Sequence, residues 1–181
     1  PKGLPHYFSF EEVQTLVDEA HRAGVPVATH CIGGRGLTMA LKAGIDVIEH
    51  GYFASDEGIE EIGNLDRWLV MTPSIFYTDA RIKTLPPNLI QPHLQQREEV
   101  GQRMSAAIKS GIKFAVGTDG MHGGLAQEIQ YLTDFGASAG AAIRAATIQA
   151  AILCGLENEI GTLGAGKAAD AIGVDGNPYE D

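Results

Sequence analysis

The feature that most constrains this chain is a repeated alternation. Short β-rich runs lead into helical stretches, and Gly closes the helices that precede the next run. Ser9 opens the first helix over 9–23, with Glu12 three residues later as a capping-box partner, and Gly24 ends it. Val25–Thr29 is the first strand, and it ends at His30. A helix near 36–43 closes at Gly44, and Ile45–Glu49 is the second strand, ending at His50. A helix over 55–65 and a strand from Trp68 to Phe76 follow. A polar, Pro-containing loop over 78–92 leads into a helix over 94–110, stopped by Gly111. Lys113–Gly117 is the fourth strand, ending in Thr118-Asp119-Gly120. Helices near 125–135 and 138–154 precede a Gly-rich tail, whose candidate strand runs from Ala168 to Val174. Strands alternating with helices predict βα units around a parallel sheet with right-handed crossovers.

Size and charge narrow the function. The chain has 181 residues, enough for one core but short of the roughly 250 of a complete (β/α)₈ barrel. Lys plus Arg is 13 and Asp plus Glu 23, for a net charge of −10. With no basic cluster to meet phosphates, no nucleic-acid partner is expected. No apolar run is long enough to span a membrane, so no membrane partner is expected either. Cys31 and Cys154 form no CxxC pair or disulfide framework, which fits a reducing, cytoplasmic setting. The start at Pro1, with neither Met nor a signal peptide, reads as part of a longer chain.

In a parallel βα sheet the carboxyl ends of the strands form the functional face. His30, His50 and Asp119 each follow an apolar run at that level. Two imidazoles and a carboxylate suit a divalent metal, zinc first. A metal there acidifies bound water, and a neighbouring carboxylate takes the proton. Singly, each residue has a structural reading: a packed His, or an Asp that caps the next helix. Their shared topological position favours the metal.

Ala28-Thr29-His30, Ile48-Glu49-His50-Gly51 and Val116-Gly117-Thr118-Asp119 resemble the amidohydrolase superfamily, nearest its imidazolonepropionase-like and Xaa-Pro dipeptidase-like branch. Val17–Gly24 is similar to the helix before that family's fifth barrel strand, and Ala141–Gly155 to its last barrel helices. Ile160–Leu163, Gly166–Asp170 and Val174–Pro178 resemble the return into its small β-domain.

The resemblance implies an α/β fold. Residues 1–160 would be the C-terminal half of a TIM-type (β/α)₈ barrel, about strands five to eight. Residues 161–181 would carry a short β segment of a small β-sandwich domain. It implies that His30 and His50 bind metal and that Asp119 is both ligand and general base. The substrate implied is a small-molecule amide: cyclic, N-acyl or dipeptide-like. The family also uses an HxH pair on strand one and usually a carboxylated Lys on strand four. This sequence has neither, so the missing half of the barrel, or a second copy, is an expected partner.

Tyr77 and His122 are candidate substrate contacts, beyond the third strand and in the loop after Asp119. The family often carries a His in that loop. Glu49 alternates away from His50, which favours a structural role, and Cys31 and Trp68 read as buried. Gly34-Arg35-Gly36 opens a helix after a strand, a near miss to the dinucleotide fingerprint because Met39 stands where its third Gly belongs. It is the rival reading, a nucleotide-binding domain. A third is an inactive half-barrel whose open edges pair with a partner. Gly161–Lys167 has P-loop spacing but ends in Ala168, between a helix and a strand, and reads as a Gly-rich turn.

Overall fold

A computed structural model describes residues 6–119 and 123–180. The first helix, α1 (Phe10–Arg22), forms where the capping box predicts it. Glu12 N donates to Ser9 Oγ at 3.2 Å, and Ser9 N donates to Glu12 Oε2 at 2.8 Å. These two bonds satisfy donors that a helix start leaves unpaired. The chain continues as β1 (Ala28–Gly33), α2 (Gly34–Ala43), β2 (Val47–Phe53), α3 (Asp56–Asn64) and β3 (Trp68–Met71). Then come α4 (Ser74–Tyr77), α5 (Asp79–Thr84), α6 (Pro87–Ser110), β4 (Lys113–Val116), α7 (Leu125–Asp134), α8 (Ala139–Ala146) and α9 (Ile148–Leu153). Gly24, Gly44 and Gly111 have φ of 72°, 90° and 76°, the left-handed turns that end α1, α2 and α6.

The four strands lie in the order β1-β2-β3-β4, all parallel. Register sorts their side chains onto two faces. Ile48 pairs with Leu69, and Met71 with Val116; these join Val17, Leu41, Val100, Met104 and Leu132 in the core under the helices. Val47, Val70 and Ala115 face the other way, with Trp68, Ala150 and Leu153 packed beside them. No helix among the described residues is long and apolar enough to cross a membrane.

Several elements differ from the sequence expectation. His30 and His50 lie inside β1 and β2, because ladder hydrogen bonds continue past the apolar runs. The third strand stops at Met71 instead of Phe76, since Pro73 lacks a donor and the chain turns into α4. Part of the expected loop over 78–92 is helical. Pro87 occupies the first turn of α6, where its missing N–H costs nothing, and His93, Val100, Met104 and Ala107 form its buried stripe. The last expected helix is two, broken at Thr147 (φ −125°, ψ −97°). Residues 168–174 form no strand, having no ladder partner among the described residues, and Ile172 is 91% exposed.

Asp46, just before β2, fastens three elements. Its Oδ2 accepts from Val27 N at 2.7 Å and lies 2.7 Å from His21 Nε2, while Arg67 donates to Oδ1 at 3.1 Å. Burial alone would raise the Asp46 carboxyl. The His21 and Val27 hydrogen bonds and the Arg67 charge outweigh it and hold the carboxyl below its usual range. A carboxyl depressed on folding contributes stability above its unfolded pKa of about 3.9, and loses that contribution as pH falls through the folded value. Asp46→Asn is therefore expected to lower the urea midpoint at pH 7. The difference from wild type should shrink below about pH 4. A difference that does not change between pH 7 and pH 3 would contradict this linkage.

Gly33 gives a second expectation. At φ 132°, a Cβ there would meet the Phe53 carbonyl oxygen at 2.5 Å, whereas at Gly111 (φ 76°) it would meet nothing within 4 Å. Gly111→Ala should cost about 1–2 kcal/mol from left-handed backbone strain alone. Gly33→Ala should cost more, because the backbone of β2 has to move. Equal losses in paired denaturation curves would refute the close-approach explanation.

Candidate functional site

His30 and His50 come from adjacent strands, and their rings meet. The centroids are 4.5 Å apart in an edge-to-face arrangement. Register alone does not produce this contact. His30 pairs with Glu49, while His50 pairs with Cys31, whose side chain belongs to the helix-side core. His50 leaves the regular pleat with φ 79°, followed by Gly51 at 60°. Among the described residues only His50, Asp66 and Asp119 are non-glycine with positive φ. Two of those three are the candidate ligands. Such backbone costs about 1–3 kcal/mol per residue and gathers at functional sites.

His50 is 6% exposed, and its Nδ1 lies 2.7 Å from Thr72 Oγ1. Tyr52 stacks on the His50 ring at 5.1 Å, and its hydroxyl lies 3.0 Å from Thr72 O and 2.6 Å from Thr72 Oγ1. Burial, reinforced by His30, pulls the His50 imidazole below its ordinary range, with the Asp119 charge opposing. The ring is therefore neutral near pH 7, the form that binds metal. Burial also pushes the Tyr52 phenol up to about 12.

Asp119 stands three residues beyond β4 at φ 47°. Its charge is felt by His50, Glu49, Tyr52 and Glu128. The structure thus joins His30 to His50 by direct ring contact and Asp119 to His50 electrostatically. Among the described residues, no three His, Cys, Asp or Glu side chains form a group able to hold a metal ion by themselves. The two imidazoles fit a divalent cation as part of a larger ligand set.

Glu49, expected to alternate away from His50, lies beside His30 on the neighbouring strand. It shares the register row of His30, Val70 and Ala115. Burial raises its carboxyl pKa, Asp119 raises it further, and His30 opposes.

Tyr77 sits elsewhere. Its hydroxyl donates to Arg97 O at 2.9 Å, and its ring packs against Tyr131 and Phe135 under the Arg97 guanidinium. That hydroxyl is engaged by α6 and does not join the histidines. His122 lies outside the described residues.

Sequence reasoning passed over Thr72, Tyr52 and Glu128. Glu128 on α7 is fully buried, accepts from Ser74 N at 3.1 Å through Oε2, and leaves Oε1 without a partner. Burial raises its carboxyl pKa. A polar residue directly after the apolar run Leu69-Val70-Met71 was the available signal for Thr72.

The glycine motifs have packing explanations. Gly33 and Gly34, at φ 132° and 63°, let β1 turn directly into α2 against the β2 backbone. Lys167 Nζ donates to Thr162 Oγ1 at 2.8 Å and to Glu157 O, tying its own turn.

Comparison with known proteins agrees with this architecture. The amidohydrolase family model matches residues 5–181. An ochratoxinase of Aspergillus niger is 31% identical, over 96% of this chain and 37% of its own length. An imidazolonepropionase of Sphingopyxis alaskensis is 29% identical, over 96% of this chain and 41% of its own. The crystal structure of a Xaa-Pro dipeptidase with methionine bound in its active site superposes with a TM-score of 0.86 at 33% identity. That match covers 99% of this chain and 46% of the other. The chain thus spans less than half the length of these relatives, and its parallel sheet is part of a TIM-type barrel. Matched over nearly its whole length, the chain belongs to the amidohydrolase family.

Proposed function

We propose that this chain supplies the last four βα units of a metal-dependent hydrolase acting on amide-type C–N bonds. The observation that carries the reading is the contact of the His30 and His50 rings, reached only through a left-handed residue in β2. Membership of the amidohydrolase family supports it, as do relatives named ochratoxinase, imidazolonepropionase and Xaa-Pro dipeptidase. Substrates of this class are cyclic amides, N-acyl amino acids and dipeptides. The unpaired outer edges of β1 and β4 are where the remaining barrel strands, or another copy, would join.

His30 and His50 would hold the cation, zinc by its preference for imidazole nitrogen, with Asp119, just beyond β4, as a further ligand and the general base. The bound ion would polarise the scissile carbonyl and acidify water. The chain's own residues do the rest. Burial keeps His50 neutral and therefore a donor to metal. Asp119 takes the proton from the attacking water and passes it to the leaving nitrogen. The positive φ at His50 and Asp119 sets the direction in which each side chain leaves its strand end. Tyr77 and His122 remain candidates for substrate contact, and Tyr77 would first have to release Arg97 O.

The test is elemental analysis together with amidase assays on N-acyl amino acids, dipeptides and cyclic amides. His30→Ala is expected to reduce bound metal and abolish turnover. Asp119→Ala is expected to slow turnover by about 10²–10⁴-fold, the scale of lost acid–base catalysis. Wild-type metal content and turnover in both variants would exclude the assignment.

A further inference from the structure

Three short contacts join His50, Thr72 and Tyr52, and only one proton arrangement places a hydrogen in every one of them. A carbonyl oxygen only accepts, so the Tyr52 hydroxyl proton is spent on Thr72 O at 3.0 Å. The 2.6 Å contact between Tyr52 Oη and Thr72 Oγ1 then takes its proton from Thr72. With its single proton committed, Thr72 Oγ1 can only accept at its 2.7 Å contact with His50 Nδ1. His50 therefore carries its proton on Nδ1, and Nε2 is left as a bare lone pair. All three residues are buried, at 6%, 3% and 4% exposure, so bulk water does not compete for these bonds.

We propose that Thr72 and Tyr52 are positioning residues that lock His50 in the Nδ1–H tautomer and so keep its Nε2 lone pair available to a divalent cation. The lock is a property of the chain itself. Its purpose rests on the metal-hydrolase reading, because hydrogen bonding at the far nitrogen fixes the tautomer and orientation of metal-binding imidazoles. Thr72 follows the last residue of β3 and precedes Pro73, where the chain turns into α4.

The experiment is side-chain ¹⁵N NMR of the metal-free full chain labelled at histidine, at a pH where the ring is neutral, with the His50 signals identified by their loss in His50→Gln. The wild type should show Nδ1 protonated and Nε2 bare. Thr72→Ser keeps the hydroxyl and should keep that pattern. Thr72→Val keeps the shape, loses the acceptor, and should move His50 toward the Nε2–H tautomer that free histidine favours. Tyr52→Phe frees the Thr72 proton to point at Nδ1 and should shift His50 the same way, which keeps the test open even if Thr72→Val fails to fold. Zinc titration should then show affinity lower by about 10–100-fold in Thr72→Val and restored in Thr72→Ser. A wild-type ring protonated on Nε2, or tautomers unchanged in folded Thr72→Val and Tyr52→Phe, would overturn the lock. If the tautomers shift as expected but the wild type takes up no zinc, the lock stands and the metal reading fails. If zinc binds through His50 but the tautomers do not respond, the reverse holds.

Discussion

Parallel strands alternate their side chains, and the site depends on β2 departing from that rule at one residue. Regular pleating would leave His50 in the row of Cys31 and Ile48, against the helices. A φ of 79° takes it out of that row and brings its ring to His30. The left-handed backbone costs about 1–3 kcal/mol, so the surrounding structure has to hold it in place. Thr72 and Tyr52 do so through hydrogen bonds and stacking, and Gly51 supplies the second positive φ that lets the strand resume.

The same departure concentrates charge. Glu49 stays in the row of His30 while its neighbour turns toward the same ring. The Asp119 charge adds to burial in raising the Glu49 carboxyl, and buried Glu128 also feels Asp119. Like charges brought together out of water are costly unless a cation or proton intervenes. In the proposed hydrolase this is where the two imidazoles and the nearby carboxylates would meet a divalent ion. On the opposite face of the sheet, Ile48, Leu69 and Met71 pack against the helices and keep the strands in register.

Much of this was legible from local chemistry. The capping box at Ser9, the left-handed glycines after three helices, and the apolar strand centres depend on neighbours in sequence, and each formed as expected. The shared level of His30 and His50 was legible because strand ends in a parallel sheet converge, whereas their ring contact needs the left-handed backbone at His50, which no local pattern reports. Strand lengths were less so: hydrogen bonding continues through His30 and His50 although the apolar pattern ends there. Pro87 and Pro92 hid the start of α6 by resembling loop composition. The roles of Thr72 and Tyr52 lie in contacts between β2 and the end of β3, which no local pattern reports. Tyr77 occupies the expected level along the chain, but a ring's direction is decided by packing, here against Tyr131 and Phe135.

The central claim is that the His30 and His50 rings share one divalent cation. X-ray absorption at the zinc edge of the zinc-loaded full chain tests it most directly. The account predicts imidazole scattering from two rings, with zinc–nitrogen distances of about 2.0–2.1 Å, and loss of one ring's contribution in His50→Gln. A spectrum without imidazole scattering, or one that His50→Gln leaves unchanged, would contradict it.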